Sequence, residues 1–351
     1  MPRNTPYFVD YLGGFAGFNN PGSRVFYVGP SGYTAYDGNG PSNTNDGLSP
    51  QTPFSTIQNA LDQCVTGRGD IVAILPGSYT VTAALTMSKD DVTLCSAYPV
   101  EPQQRSKCVI VNATDVNTVI VTGNNCKIIG LTFDDNVATA TANTAVIRLA
   151  STATAAVEVS GTVIQNCYLD MLGSDTDRDG ICVGLTADAT DGAPHTLIEG
   201  CTILDPDQYG IIINVGSPYT VVRNCLIYDL VNLCLAGISV LATSCSIEDC
   251  EILCTDSTGA ACIKNGVAAA RLTVTDCRLH ATGADTIGIL AIATATQRTS
   301  GNWITAIGAG NLIDYTTDNT TPSADTFFSG VFNTTPPATV VGQTTVGGAD
   351  A

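Results

Sequence analysis

The stretch Val221–Leu230, VVRNCLIYDL, joins two short apolar runs through an Asn-Cys pair, Asn224 and Cys225. Cys225 and Ile227 are two residues apart and share one face of a strand, whereas Val222 lies three before Cys225 and breaks that parity. A chain that keeps all three inside must bend at Asn224. Asn, Asp and Gly are the residues that tolerate the left-handed backbone such a bend needs.

The pair recurs at Asn125-Cys126, Asn166-Cys167, Gly200-Cys201, Asp249-Cys250 and Asp276-Cys277. Ile or Leu stands two positions after each cysteine, and Ile or Val stands three before five of the six. From Cys201 to Cys225, Cys250 and Cys277 the steps are 24, 25 and 27 residues, and Trp303 follows 26 later in the same column. Steps of 41 and 34 after Cys126 leave room for insertions. A second column reads Gly180-Ile181, Gly210-Ile211, Gly237-Ile238 and Gly288-Ile289, with Ala261-Cys262 substituting once. Short strands repeating at this period, with no helical segment between them, predict a solenoid. Leucine-rich repeats share the period but need a Leu-x-x-Leu-x-Leu frame that is absent. The expected fold is all-β, a parallel β-helix in which Cys126, Cys167, Cys201, Cys225, Cys250 and Cys277 stack along the axis. Asn125, Asn166 and Asn224 form a ladder at one bend.

Composition narrows the function. Apolar residues make up 44% of the 351, enough for a sizeable core, and 14 Lys and Arg against 32 Asp and Glu give a net charge of −18. Such a surface repels nucleic acid and anionic membranes. The N-terminus has no basic region followed by an apolar one, so no signal peptide is expected, and no apolar run is long enough to cross a membrane. Synthesis in a cytosol would keep the fourteen cysteines reduced. No paired C-x-x-C spacing suggests zinc, and buried free thiols are the expectation.

A solenoid needs a cap over its exposed end. In DGLSPQTPFSTIQNALDQC (Asp46–Cys64), Ser55 and Gln58 have capping-box spacing, and Ile57, Ala60, Leu61 and Cys64 make one apolar face, predicting a cap helix over about 55–65.

FYVGPSG, NDGLSPQTPFSTIQNALDQC, GDIVAILPGSYTV and the later Asn-Cys coils together resemble the pectate-lyase-like, right-handed, single-stranded β-helix superfamily over roughly residues 25–305. That resemblance implies the right-handed fold and marks no single activity. Its members include polysaccharide lyases and hydrolases, bacterial surface proteins, and the spikes and fibres of bacteriophages, which are often trimers.

The expected organisation is an arm over 1–24, a solenoid over 25–310, and a Thr-, Pro- and Gly-rich tail over 311–351. Tyr7, Phe8, Tyr11, Phe15 and Phe18 in the arm, with Phe327, Phe328 and Phe332 near the finish, form apolar clusters suited to assembly contacts.

Candidate chemistry is sparse. Asp175, Asp177 and Asp179 before Gly180 resemble the opening of a calcium loop, but Thr186 stands where a bidentate Glu belongs, so a solvated acidic insertion is the alternative. Asp205 and Asp229, each four residues after a ladder cysteine, could stack on adjacent coils as paired glycosidase carboxylates, with Asp170 and Asp207 nearby; Asp is equally common where a strand gives way to a turn. His195 and His280 have no Gly-x-Ser-x-Gly elbow beside them. Two functions compete: a non-enzymatic bacteriophage virion component (head decoration, spike or fibre) or a polysaccharide lyase or hydrolase. A bacterial adhesion protein ranks third. The first implies a homo-oligomer, a trimer by the resemblance, with other virion proteins and a host surface glycan as partners, no nucleic acid, no membrane insertion and no cofactor beyond calcium.

Overall fold

A computed structural model describes residues 22–330 apart from 35–37, 39, 99, 136–143, 151–157, 173–177, 186–191, 231–233, 256–259, 267–270, 283–286, 292–295, 307–312, 316–319 and 323–326. Within it the chain winds through three parallel sheets of eleven, ten and nine strands, each coil contributing one strand to each sheet in turn. In one coil these are Leu197–Glu199, Thr202–Leu204 and Tyr209–Ile213; the next coil repeats them in register at Val221–Arg223, Leu226–Tyr228 and Ala236–Val240. The strand pairing continues past residue 310, through Ile313–Tyr315, Thr320–Pro322 and Phe327–Gly330.

Among the described residues, two corners recur with a left-handed residue on most coils. Between the first and second sheets these are Gly130, Asn166, Gly200, Asn224, Asp249, Asp276 and Gly301; between the third and first they are Asp91, Asn125, Gly161, His195, Tyr219 and Ser244. At either corner the positive φ reverses side-chain parity, so the next residue points inward. Asn125-Cys126 therefore belongs to the other corner: Ile128 pairs with Ile164, one sheet before Leu169, and Leu131 occupies the position that Cys167 takes one coil later. Trp303 is also displaced from the column. It pairs with Arg278 and is 50% exposed, while buried Asn302 takes the cysteine position. In the glycine column Cys262, paired opposite Gly237, stands one residue later than Ala261.

Cys167, Cys201, Cys225, Cys250 and Cys277 stand on successive coils. Each thiol donates to the carbonyl two residues earlier, at 3.2–3.5 Å: Gln165, Glu199, Arg223, Glu248 and Thr275. The same carbonyl also accepts the amide of the bend residue one coil earlier, as Asn224 N donates to Glu248 O at 3.0 Å, so the thiol is its second donor. After Cys277, Asn302 ends the stack by accepting from Cys277 N at 2.9 Å and donating to Val274 O at 2.9 Å.

All fourteen cysteines are free and buried. Burial pushes Cys126 and Cys182 up to about 12 and Cys245 to about 11. Because the thiolate is the reactive form, a thiol reagent at neutral pH should titrate almost none of them in native protein and all fourteen after denaturation. Rapid native labelling or mass-spectrometric detection of extensive disulfides would contradict this arrangement.

The cap is helix α1, Ile57–Gln63, with Ile57, Ala60 and Leu61 buried. Its N-cap is Thr56, whose hydroxyl accepts from Asn59 N. The expected Ser55–Gln58 box does not form. Asn43 Oδ1 accepts from the Ser55 and Thr56 amides at 3.2 Å each, while Gln58 turns to Asp62 and to Thr86 of the neighbouring coil. No helix among the described residues is long and apolar enough to cross a membrane.

Candidate functional site

The outer face of the second sheet carries a series of polar and aromatic side chains, most of them half-buried, with Arg278 and Trp303 exposed and Thr202 buried. Its strands alternate, so Leu169, Ile203, Ile227, Ile252 and Leu279 point into the core and their neighbours point out. Register then builds two outward columns. Tyr168, Thr202, Leu226, Glu251, Arg278 and Trp303 form one; Asp170, Leu204, Tyr228, Leu253, His280 and Thr305 form the other. Successive members are separated by about 4.8 Å, the spacing of hydrogen-bonded strands.

Specific contacts fix this face. Arg105 reaches Asp170 at 2.9 Å and Asp134, one coil before, at 3.7 Å, with its guanidinium 5.6 Å from the Tyr168 ring centroid. Tyr228 Oη donates to Glu251 at 3.1 Å, and Arg278 approaches the same carboxylate at 3.9 Å. Trp303 Nε1 donates to Thr305 Oγ1 at 3.1 Å. Burial and the neighbouring carboxylates, Asp170 and Glu251, raise both tyrosines above their ordinary range, so they remain neutral hydrogen-bond donors.

The sequence candidates fall in different places. Asp205 and Asp229 are in register on adjacent coils and buried, at the corner between the second and third sheets. Asp205 Oδ1 accepts from Leu230 N at 2.6 Å, and Asp229 Oδ2 from Thr255 N at 3.4 Å. Each carboxylate thus takes an amide from the next coil. Asp170 is one residue out of that column, pointing outward onto Arg105, and Asp207 is buried. His195 is exposed and stacks on Tyr219 at 5.0 Å, at the corner between the third and first sheets. Asp175 and Asp177 lie outside the described residues, as do Tyr7, Phe8, Tyr11, Phe15, Phe18 and Phe332; Asp179 is buried in Arg178–Val183. Among the described residues no group of three or more His, Cys, Asp or Glu is arranged to hold a metal ion.

Two features escaped sequence reading. Arg178 is fully buried and pairs with buried Asp135, donating also to Val116 O at 2.8 Å and Thr144 Oγ1 at 3.1 Å. A lone Arg before Asp-Gly gave no sign of this. The other is a cavity of about 450 Å³ beside the cap, lined by Arg24, Phe26, Leu48, Phe54, Val65 and Arg68 among others. Buried Asp70 organises it, accepting from Arg24 N at 2.9 Å, Val65 N at 2.8 Å and Arg68 Nε at 2.6 Å. Burial pushes the Asp70 carboxyl up, but Arg68 and the two amides outweigh it and hold it below the usual range.

The sequence profile of the family described as "Right handed beta helix region" matches residues 117–327. No curated protein matches the chain. Among solved structures, ORF18 of Geobacillus virus E2 is similar over 79% of this chain and 57% of its own, at 14% identity and a TM-score of 0.48. The chain thus spans little more than half of that phage protein. A rhamnogalacturonan lyase is similar over 86% of this chain and 87% of its own, at 14% identity and 0.48. A pectate lyase is similar over 86% and 80%, at 13% identity and 0.49.

Proposed function

Taking as premise that the chain belongs to the right-handed β-helix family, we propose that it is a non-enzymatic structural component of a bacteriophage virion. In this reading it is made in the host cytoplasm and assembles as a homo-oligomer, a trimer, with other virion proteins. The observation that carries the non-enzymatic part is the placement of the candidate carboxylates. Asp205 and Asp229 are buried and hold amides of the following coil, and Asp170 is paired with Arg105. Acid–base or nucleophilic catalysis needs such groups presented to a substrate. A net charge of −18 keeps the solenoid walls mutually repulsive, so we assign the assembly contacts to the aromatics of the arm and tail sequences.

A second reading is favoured by the second-sheet face. Tyr168, Tyr228, His280 and Trp303 on regularly spaced coils suit an extended glycan, bound or cleaved. Two measurements separate the readings. Light scattering should give a multiple of 36.2 kDa, and incubation with bacterial surface polysaccharides should release neither reducing ends nor unsaturated sugars. A stable monomer with depolymerase activity would establish the enzyme.

A further inference from the structure

We infer that the cavity beside the cap is the socket for the aromatic N-terminal arm of a second copy of the chain. The inference rests on the oligomeric reading above and names the surface through which the copies join.

The cavity is already built. Asp70 ties its three walls, the start of the first strand at Arg24, the segment after α1 at Val65, and Arg68, through the bonds given above. A site that needs no ordering on binding wastes little interaction energy. Two phenylalanines of the core, Phe26 and Phe54, each 4% exposed and with ring centroids 6.0 Å apart, line the cavity from below the surface. Its rim is mixed: Leu48 is 47% exposed and Val65 49%, and Asn43, Asn45, Asp46 and Gln63 line it beside them. About 450 Å³ lies within the range of small ligand sites and suits one or two aromatic side chains. Arg24 adds a cationic edge, Arg68 being paired with Asp70 at 2.6 Å, and arginine packs well on aromatic faces.

The occupant follows from where the chain enters. Arg24 lines the cavity and Gly22–Ser23 lead into it, so residues 1–21 are tethered at its mouth. Those residues hold Tyr7, Phe8, Tyr11, Phe15 and Phe18 with only two charged side chains, Arg3 and Asp10. Every copy therefore carries both an aromatic plug and, at the same end, a socket. Plug into neighbouring socket is a heterologous contact, which closes into a ring when the rotation between copies allows.

The test uses full-length chains. Val65→Asp blocks the socket, and the pair Tyr11→Asp with Phe15→Asp blocks the plug; matching melting curves would show that the solenoid is intact in each. Both variants should run as monomers in light scattering where the unaltered protein is an oligomer. Mixed together they should form a two-chain species, because the intact plug of the first fits the intact socket of the second. An oligomer that survives Val65→Asp, or a mixture that stays monomeric, overturns the socket while leaving oligomerisation standing. An unaltered protein that is itself monomeric overturns the oligomeric reading and the socket with it.

Discussion

Leu61→Asp should abolish stable folding, with an expected loss of about 5 kcal/mol or more. Leu61 is 3% exposed, on the face of α1 that covers the open end of the solenoid, packed with Ile57 and Ala60 against the first coils. Truncation to Ala would already cost about 2–5 kcal/mol for lost transfer and cavity. A carboxylate there adds the penalty of a buried charge with no partner in an apolar cluster that includes Phe26, Val28, Leu85 and Met87. Denaturant titration of Leu61→Ala and Leu61→Asp at two pH values separates the terms. The Asp variant should recover towards the Ala variant in acid, where its carboxyl is neutral. An Asp variant as stable as the unaltered protein would show that α1 does not cover the core.

Arg178→Ala should cost about 3–5 kcal/mol, because it removes one partner of a buried ion pair and leaves the other charged. Arg178 and Asp135 are 0% and 1% exposed, and the guanidinium also satisfies Val116 O and Thr144. Burial already raises the Asp135 carboxyl, with Arg178 pulling it down. Without the arginine that carboxyl rises further. A folded-state value above the unfolded one means stability that is present in acid and lost as pH rises through the folded value. The variant should therefore be more stable near pH 5 than near pH 7, and Asp135→Asn should recover part of the loss at neutral pH. A pH-independent loss, unrelieved by the second change, would leave cavity formation as the whole cause.

The fold was legible because inward positions repeat. Cys225 and Ile227, with Val222 three residues before, require a bend at Asn224, and the bend recurs on each coil. The corner was not legible. Asn125-Cys126 and Asn166-Cys167 present the same local chemistry, a left-handed residue followed by a buried one, yet sit at different corners. Pair spacing alone cannot distinguish them when insertions of unequal length separate the coils. Trp303 read as a column member for a similar reason, although Asn302, a polar residue made acceptable by bonds to Cys277 N and Val274 O, holds that place. The cap helix was legible but its capping residues were not, because Asn43, more than ten residues away, does what Gln58 was expected to do. For the candidate site, the sequence placed Asp205 and Asp229 on adjacent coils but not their burial, which follows from the corner they occupy. Arg105, which fixes the outer face, comes from a different coil than the Asp170 it binds and leaves no pattern in spacing.

The in-register stacking of coils has a mechanical consequence. The backbone hydrogen bonds that join neighbouring coils run along the solenoid axis, so an axial load falls on them directly. Compressed, the column meets close-packed side chains that interdigitate along the core, and it should behave as a stiff strut. Stretched, it should peel from one end, coil by coil, since the strand ladders join each coil only to its neighbours; the exception is where Gln103 ties its own coil to Gly200 O at 3.0 Å and Asn224 O at 3.1 Å. A rod of this kind transmits push far better than pull, and whatever anchors it must grip more than its terminal coil.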